Sequence, residues 1–181
     1  NGEFEPVKGK ITIHRLKSPE KFFRERLWER PDKFVMTRKT AYEDFPEDLY
    51  DDENNFLKWE KEKEIFSFQF DSAKDKFLKL KDIAAWKEGN YFLEIRAKDI
   101  TGQEVKEIAY FTAYSLTNKE IPAYSPFWFL SHKTKYEPGE VAEIYYSSFQ
   151  KNNVLYEIEQ NGKEIESKWL VSSHEKKHFN L

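Results

Sequence analysis

Apolar and polar positions alternate along most of the chain, and this pattern predicts a protein built from β-strands. The clearest strand is 91–98, where Tyr91, Leu93, Ile95 and Ala97 alternate with Phe92, Glu94, Arg96 and Lys98. A period of two with charges on one side marks a half-buried strand. Asp99-Ile100-Thr101-Gly102 follows as a turn whose glycine is free to take positive φ. The stretch 105–114 then returns with Ile108, Tyr110 and Phe111, completing a hairpin. Upstream, 10–16 sets Ile11 and Ile13 on one face, 65–70 sets Phe66, Phe68 and Phe70 on one face, and 76–80 reads as a short fourth strand. Downstream, 127–130, 141–147, 154–160 and 163–171 read as strands, and 177–181 as the start of another. A Pro-Gly turn stands at Pro138-Gly139, and Asn161-Gly162 is the strongest short hairpin signal in the chain.

One stretch, 19–62, lacks strand periodicity. A structureless loop of that length is uncommon in a compact domain. It is also unlike a disordered linker, because it carries Phe22, Phe23, Trp28, Phe34, Tyr50 and Trp59 among other aromatics. The expectation is an ordered insertion that packs its aromatics over the first domain. Within it, 38–45 predicts a short helix, with Thr37 as N-cap and Pro46 as the stop. Asn118, Pro122 and Pro126 interrupt the pattern and place a boundary near 117–125. The expected fold is all-β, with two antiparallel β-sandwich domains in tandem. The first is 1–120, with its insertion at 19–62 and lacking an N-terminal strand. The second is 121–181 and cut short at its C-terminus, since a complete sandwich needs roughly 100 residues. Exposed edges in such pieces invite self-association through strand pairing.

Composition narrows the function. Aromatics make up 17% of the 181 residues, enough to build cores in small domains. Charged residues make up 35%, yet the net charge is only −3, so electrostatic binding of nucleic acid gains no support. There are no cysteines, which removes disulfides and thiolate chemistry from these residues. No apolar run reaches the roughly 18 residues that a membrane helix needs. The chain opens Asn1-Gly2-Glu3-Phe4 without a methionine or a signal peptide, as an excised piece of an exported protein would.

Few motifs carry chemistry. His174-Glu175-Lys176-Lys177-His178 matches H-E-x-x-H, whose zinc chemistry needs both imidazoles on one face of a helix. Here a strand precedes it and two lysines fill its middle, so a polar turn between strands is the expectation. The acidic run 43–53 lacks the central glycine of an EF-hand loop and reads as a solvated acidic face. His14 and His132 stand alone. Of the five tryptophans, Trp28, Trp59 and Trp86 lie in or beside the insertion, and Trp128 and Trp169 lie in strands. Core packing is expected of them, whereas a shared exposed face would suit stacking on sugars. No catalytic, cofactor-binding or metal-ligating residue is assigned, and the stretch is not expected to be an enzyme or to carry a cofactor.

A resemblance adds to this reading. Gly89-Asn90-Tyr91-Phe92-Leu93, then Asp99-Ile100-Thr101-Gly102, then Tyr136-Glu137-Pro138-Gly139-Glu140 resemble, in order and spacing, macroglobulin-like domains of bacterial members of the alpha-2-macroglobulin family. Leu27-Trp28-Glu29-Arg30-Pro31-Asp32 and Phe45-Pro46-Glu47-Asp48-Leu49-Tyr50 resemble the insertion in the large Bacteroides-type members. The resemblance implies a segment from the N-terminal series of domains of a large protein that traps proteases. That protein would be secreted or held in the cell envelope, as a periplasmic protein or an outer-membrane lipoprotein. The partners it implies are neighbouring macroglobulin domains and proteases, with no nucleic acid. The thioester of the family needs a cysteine and so does not lie here. The alternative is an adhesion or carbohydrate-binding β-sandwich module of a large cell-surface protein.

Overall fold

The computed structural model of the protein describes residues 5–122 and 124–181. The opening Asn1-Gly2-Glu3-Phe4 lies outside the described residues. The chain is mostly β, with 41% strand against 7% helix, and every strand pairing is antiparallel. Its contacts divide it into two compact units.

The first unit takes residues 5–18 and 52–114. It is one four-stranded sheet of β1 (Lys8–Leu16), β2 (Lys61–Asp71), β3 (Gly89–Lys98) and β4 (Glu104–Ala113), in the order β2-β1-β3-β4. The alternation along β1 explains its central place. Ile11 and Ile13 face Phe68 and Phe66 in β2, and Ile95 and Leu93 in β3. Ile13 and Leu16 are fully buried. Each sheet face is roofed by aromatics. On one face Trp86 packs 5.3 Å from Tyr91, which stacks 5.4 Å from Phe111. On the other, Phe56 stacks 5.4 Å from Tyr110, which meets Phe92 at 5.7 Å. Each roof hangs on a short 3-10 turn, Ile83–Ala85 and Phe56–Lys58 respectively.

β2 is longer than its apolar alternation predicts. Its first half, Lys61-Glu62-Lys63-Glu64, has no hydrophobic signal, and pairs with β1 through a bulge. Ion pairs run along this edge: Arg15 with Glu62 at 3.1 Å, Lys10 with Glu64 at 3.4 Å, and Lys17 with Glu60 at 3.6 Å. The strand expected at 76–80 does not form. Asp71 and Asp75 spend their carboxylates on backbone N–H groups within the 71–75 turn, and Phe77 beyond it is 90% exposed.

The second unit takes residues 19–51 and 115–181, apart from residue 123. The contacts therefore divide the chain differently from the expected split into 1–120 and 121–181. Residues 19–51 cluster with 115–181, and Glu47 accepts a hydrogen bond from the side-chain amide of Gln150. The rest of the expected insertion, 52–62, stays with the first unit. The helix expected at 38–45 is α1 (Arg38–Asp44), with the Thr37 hydroxyl accepting from the Thr40 N–H at 3.2 Å. The remaining strands are β5 (Trp128–Ser131), β6 (Glu143–Ser147), β7 (Asn152–Gln160), β8 (Lys163–Ser172) and β9 (Lys177–Asn180). They form a sheet in the order β5-β6-β9 and a separate ribbon β7-β8. The ribbon turns at Asn161 and Gly162, with φ of 52° and 74°, the two positive values that a type I′ turn requires. Ile144 and Tyr146 are buried, and Phe179 meets both Tyr146 and Tyr156.

Two features of the first unit make its stability measurable at single residues. A Cβ on Gly9 would lie 2.3 Å from the Arg96 carbonyl oxygen and 2.7 Å from the Phe70 ring. One of those neighbours is backbone and cannot swing away. Gly9→Ala is expected to cost about 2–3 kcal/mol, read as a shift of the urea midpoint without a change of slope.

The second feature is Glu94, whose side chain is 10% exposed. The Arg96 guanidinium is the largest influence on it, and Lys106 adds an ion pair at 3.0 Å. Against the cost of burial, they hold the carboxyl at about 2, below the ordinary 4.5. A depressed carboxylate pKa stabilises the fold above the unfolded value, and that stability fades as pH falls from 4.5 toward 2. Glu94→Gln should lose roughly 2–3 kcal/mol at neutral pH and flatten the stability profile below pH 4.5. Urea unfolding of both proteins across the acid range checks this.

Candidate interaction site

Residues 19–51 hold themselves together by charge. Arg24 donates to Asp48, with a closest approach of 2.6 Å. Arg26 donates to the carbonyls of Leu49 and Asp51 at 3.0 and 2.8 Å. Arg30 and Arg38 both pair with Asp51, at 2.5 and 3.6 Å. The acidic run 43–53, expected to be a solvated face, is thus largely engaged by cations. In sequence, those cations stand apart from the acids they neutralise. Lys21 sits 3.6 Å over the Tyr42 ring, and the Tyr50 hydroxyl donates to the Met36 carbonyl.

This frame leaves an apolar cup of about 580 Å³, within the size range of ligand pockets. Trp28, Phe34, Met36, Phe45 and Tyr50 line it, with Arg24, Arg26, Lys33, Glu25 and Asp48 supplying polar groups. Phe34 stacks on Tyr50 at 4.3 Å, which gives the cup a fixed wall. Leu27 and Trp28 at its rim face solvent, at 89% and 71% exposure. Large apolar side chains held this openly make the cup a candidate interaction surface. The sequence carried a signal for it: the pairs Leu27-Trp28 and Phe34-Val35 flank Pro31 among charges, too short to bury a face by themselves.

The histidine motif is dispersed. His174 stands in a turn at φ 43°, its ring 5.5 Å from Phe149, and its N–H donates to the Ser148 carbonyl. His178 lies in β9 opposite Tyr145 and stacks on it at 4.6 Å. Glu175 pairs with Lys119. A turn followed by a strand does not present both imidazoles on one helical face, as the zinc chemistry requires. Among the described residues no cluster of three His, Asp or Glu side chains could hold a metal ion. His132 meets Tyr145 edge-on at 6.1 Å, and His14 bonds the Glu62 carbonyl at 3.0 Å. Glu140 is held below its usual carboxyl range first by Lys133 and then by the Glu137 N–H.

Within the first unit, Trp59 and Trp86 pack toward opposite faces of the sheet. Trp59 donates to the Glu53 carbonyl at 2.7 Å and packs edge-on against Phe56, while Trp86 joins the Tyr91 and Phe111 array. Both belong to the first unit, and Trp28 to the second. Trp169 is 67% exposed on the ribbon, opposite Leu155.

Compared with family models, with curated proteins and with solved structures, the chain finds no match in any of the three.

If the cup is a surface for binding and Phe34 its structural wall, substitutions should separate the two roles. Trp28→Ala should change the unfolding free energy by no more than about 0.5 kcal/mol. Phe34→Ala, which breaks the stack on Tyr50, should cost about 1–2 kcal/mol. Thermal or urea unfolding of the two variants makes the comparison.

Proposed function

We propose that this chain is a framework segment of a macroglobulin-like protein that traps proteases, exported to the cell exterior or envelope. What supports the reading is the place taken by the residues that resemble that family. Each serves the architecture. Gly89 opens β3 at φ 137° against the Arg15 guanidinium, and Tyr91 is buried, with its hydroxyl on the Lys87 carbonyl. Asp99 accepts from the Thr101 and Gln103 N–H groups to close the β3-β4 turn. The Tyr136 hydroxyl meets the Ser131 hydroxyl at 2.7 Å, and the Glu140 carboxylate accepts from the Glu137 N–H across Pro138-Gly139. Residues that turn and anchor strands are what a frame needs, and a sandwich architecture completed by neighbouring domains is part of this proposal.

The alternative is an adhesion or carbohydrate-binding module, and the exposure of Trp28 beside the cup favours it. The packing of Trp59 and Trp86 into the first unit counts against a three-tryptophan sugar platform. Among the described residues no helix is long and apolar enough to cross a membrane.

The deciding assay uses the longer protein that the resemblance implies, mixed with several endoproteases. Residual activity is measured on a large protein substrate and on a small peptide. Trapping blocks the first and spares the second. Survival of both activities with every protease overturns the reading, and binding of a glycan array through Trp28 would establish the alternative.

A further inference from the structure

The ribbon β7-β8 is joined by no third strand among the described residues. Its second strand, β8, presents residues 163–170 with no backbone hydrogen bond beyond those to β7. Such an edge is a template for another strand. The chemistry along it reads the same way in both directions about Ser167. Glu166 and Lys168 flank that serine with opposite charges, and Ile165 and Trp169 flank them in turn. Both apolar residues face solvent, at 61% and 67% exposure. Ile165 also lacks a residue opposite it in β7, because a bulge pairs Ile158 with Glu166 and Glu159 with Glu164. Lys168 has no carboxylate partner among the described residues.

We propose that β8 pairs antiparallel with β8 of a second copy of this chain, about a two-fold axis at Ser167. In that register Glu166 of each copy faces Lys168 of the other, and Ile165 faces Trp169. Each contact occurs twice, as two-fold symmetry demands. Opposite charges directly across strands, and an aromatic across from a β-branched residue, are the pairs that stabilise antiparallel sheets. The small serine sits at the axis, where the two strands place identical residues opposite one another. A lysine on an edge ordinarily repels a foreign strand. Here Lys168 repels most partners and accepts the one that brings Glu166. The β8 edge carries this pairing independently of the protease-trap reading.

Charge reversal tests the register. Glu166→Lys leaves two lysines facing two lysines across the axis, and Lys168→Glu leaves two glutamates facing two glutamates. Each single variant should dimerise at least about tenfold more weakly than the wild type in sedimentation velocity. The double variant restores opposite charges and should recover dimerisation. An equimolar mixture of the two single variants should form a mixed dimer as tight as the wild type, since lysines then face glutamates. Circular dichroism accompanies each sample, and the mixture and double variant separate pairing from folding. A monomeric wild type overturns the proposal, and would direct attention to a foreign extended peptide on the same edge. Single variants that dimerise like the wild type, or a mixture no tighter than its components, also overturn it.

Discussion

Everything in the first unit depends on the burial of one strand, β1, between two others. Ile11 and Ile13 face both β2 and β3, through Phe68 and Phe66 on one side and Ile95 and Leu93 on the other. Without that contact, β2 would have no sheet to join. The close approach at Gly9 follows from the same demand, because the flanking strands crowd it through the Arg96 carbonyl and the Phe70 ring. The sheet is thin, and its faces are sealed by single aromatic side chains on 3-10 turns. A small protein rich in aromatics can roof a sheet this way because each ring covers a large area.

The strands with strict alternation were legible from sequence, and so were the two hairpin turns. Pattern and turn chemistry agree there, and each reports on local geometry. The first half of β2 was hidden because ion pairs hold it, and charge carries no period. The stretch 76–80 showed the opposite failure: an apolar pattern with no strand beside it to satisfy. The assignment of 19–51 to the second unit was beyond the sequence too, since it depends on distant contacts such as Glu47 with Gln150. Of the candidate site, the ingredients were visible as apolar pairs among charges, but not the cup. Its shape comes from arginines at 24, 26, 30 and 38 reaching acids and carbonyls at 48–51, and no spacing rule predicts which arginine meets which acid.

That same charge frame explains why open apolar surface can persist on residues 19–51. A segment with no sheet of its own must be ordered by something other than a core. Arginine suits the task because its planar fork satisfies carboxylates and carbonyls together. Asp51 draws Arg30 and Arg38, and its carbonyl takes Arg26. With order supplied by polar contacts, Leu27 and Trp28 are left facing outward.

The pairing of β1 with β2 has one more consequence. The two strands are neighbours in the sheet, yet the chain leaves the unit after Ser18 and returns at Asp52. A backbone hydrogen bond from Lys17 to Glu60, 2.9 Å long, clamps the mouth of this excursion. The entropy of closing a loop grows only with the logarithm of its length, about 0.6 kcal/mol for each doubling. With the mouth fixed by the sheet, what is strung beyond it is nearly free to vary. Evolution can lengthen, shorten or rewrite that excursion while the four-stranded sheet stays as it is.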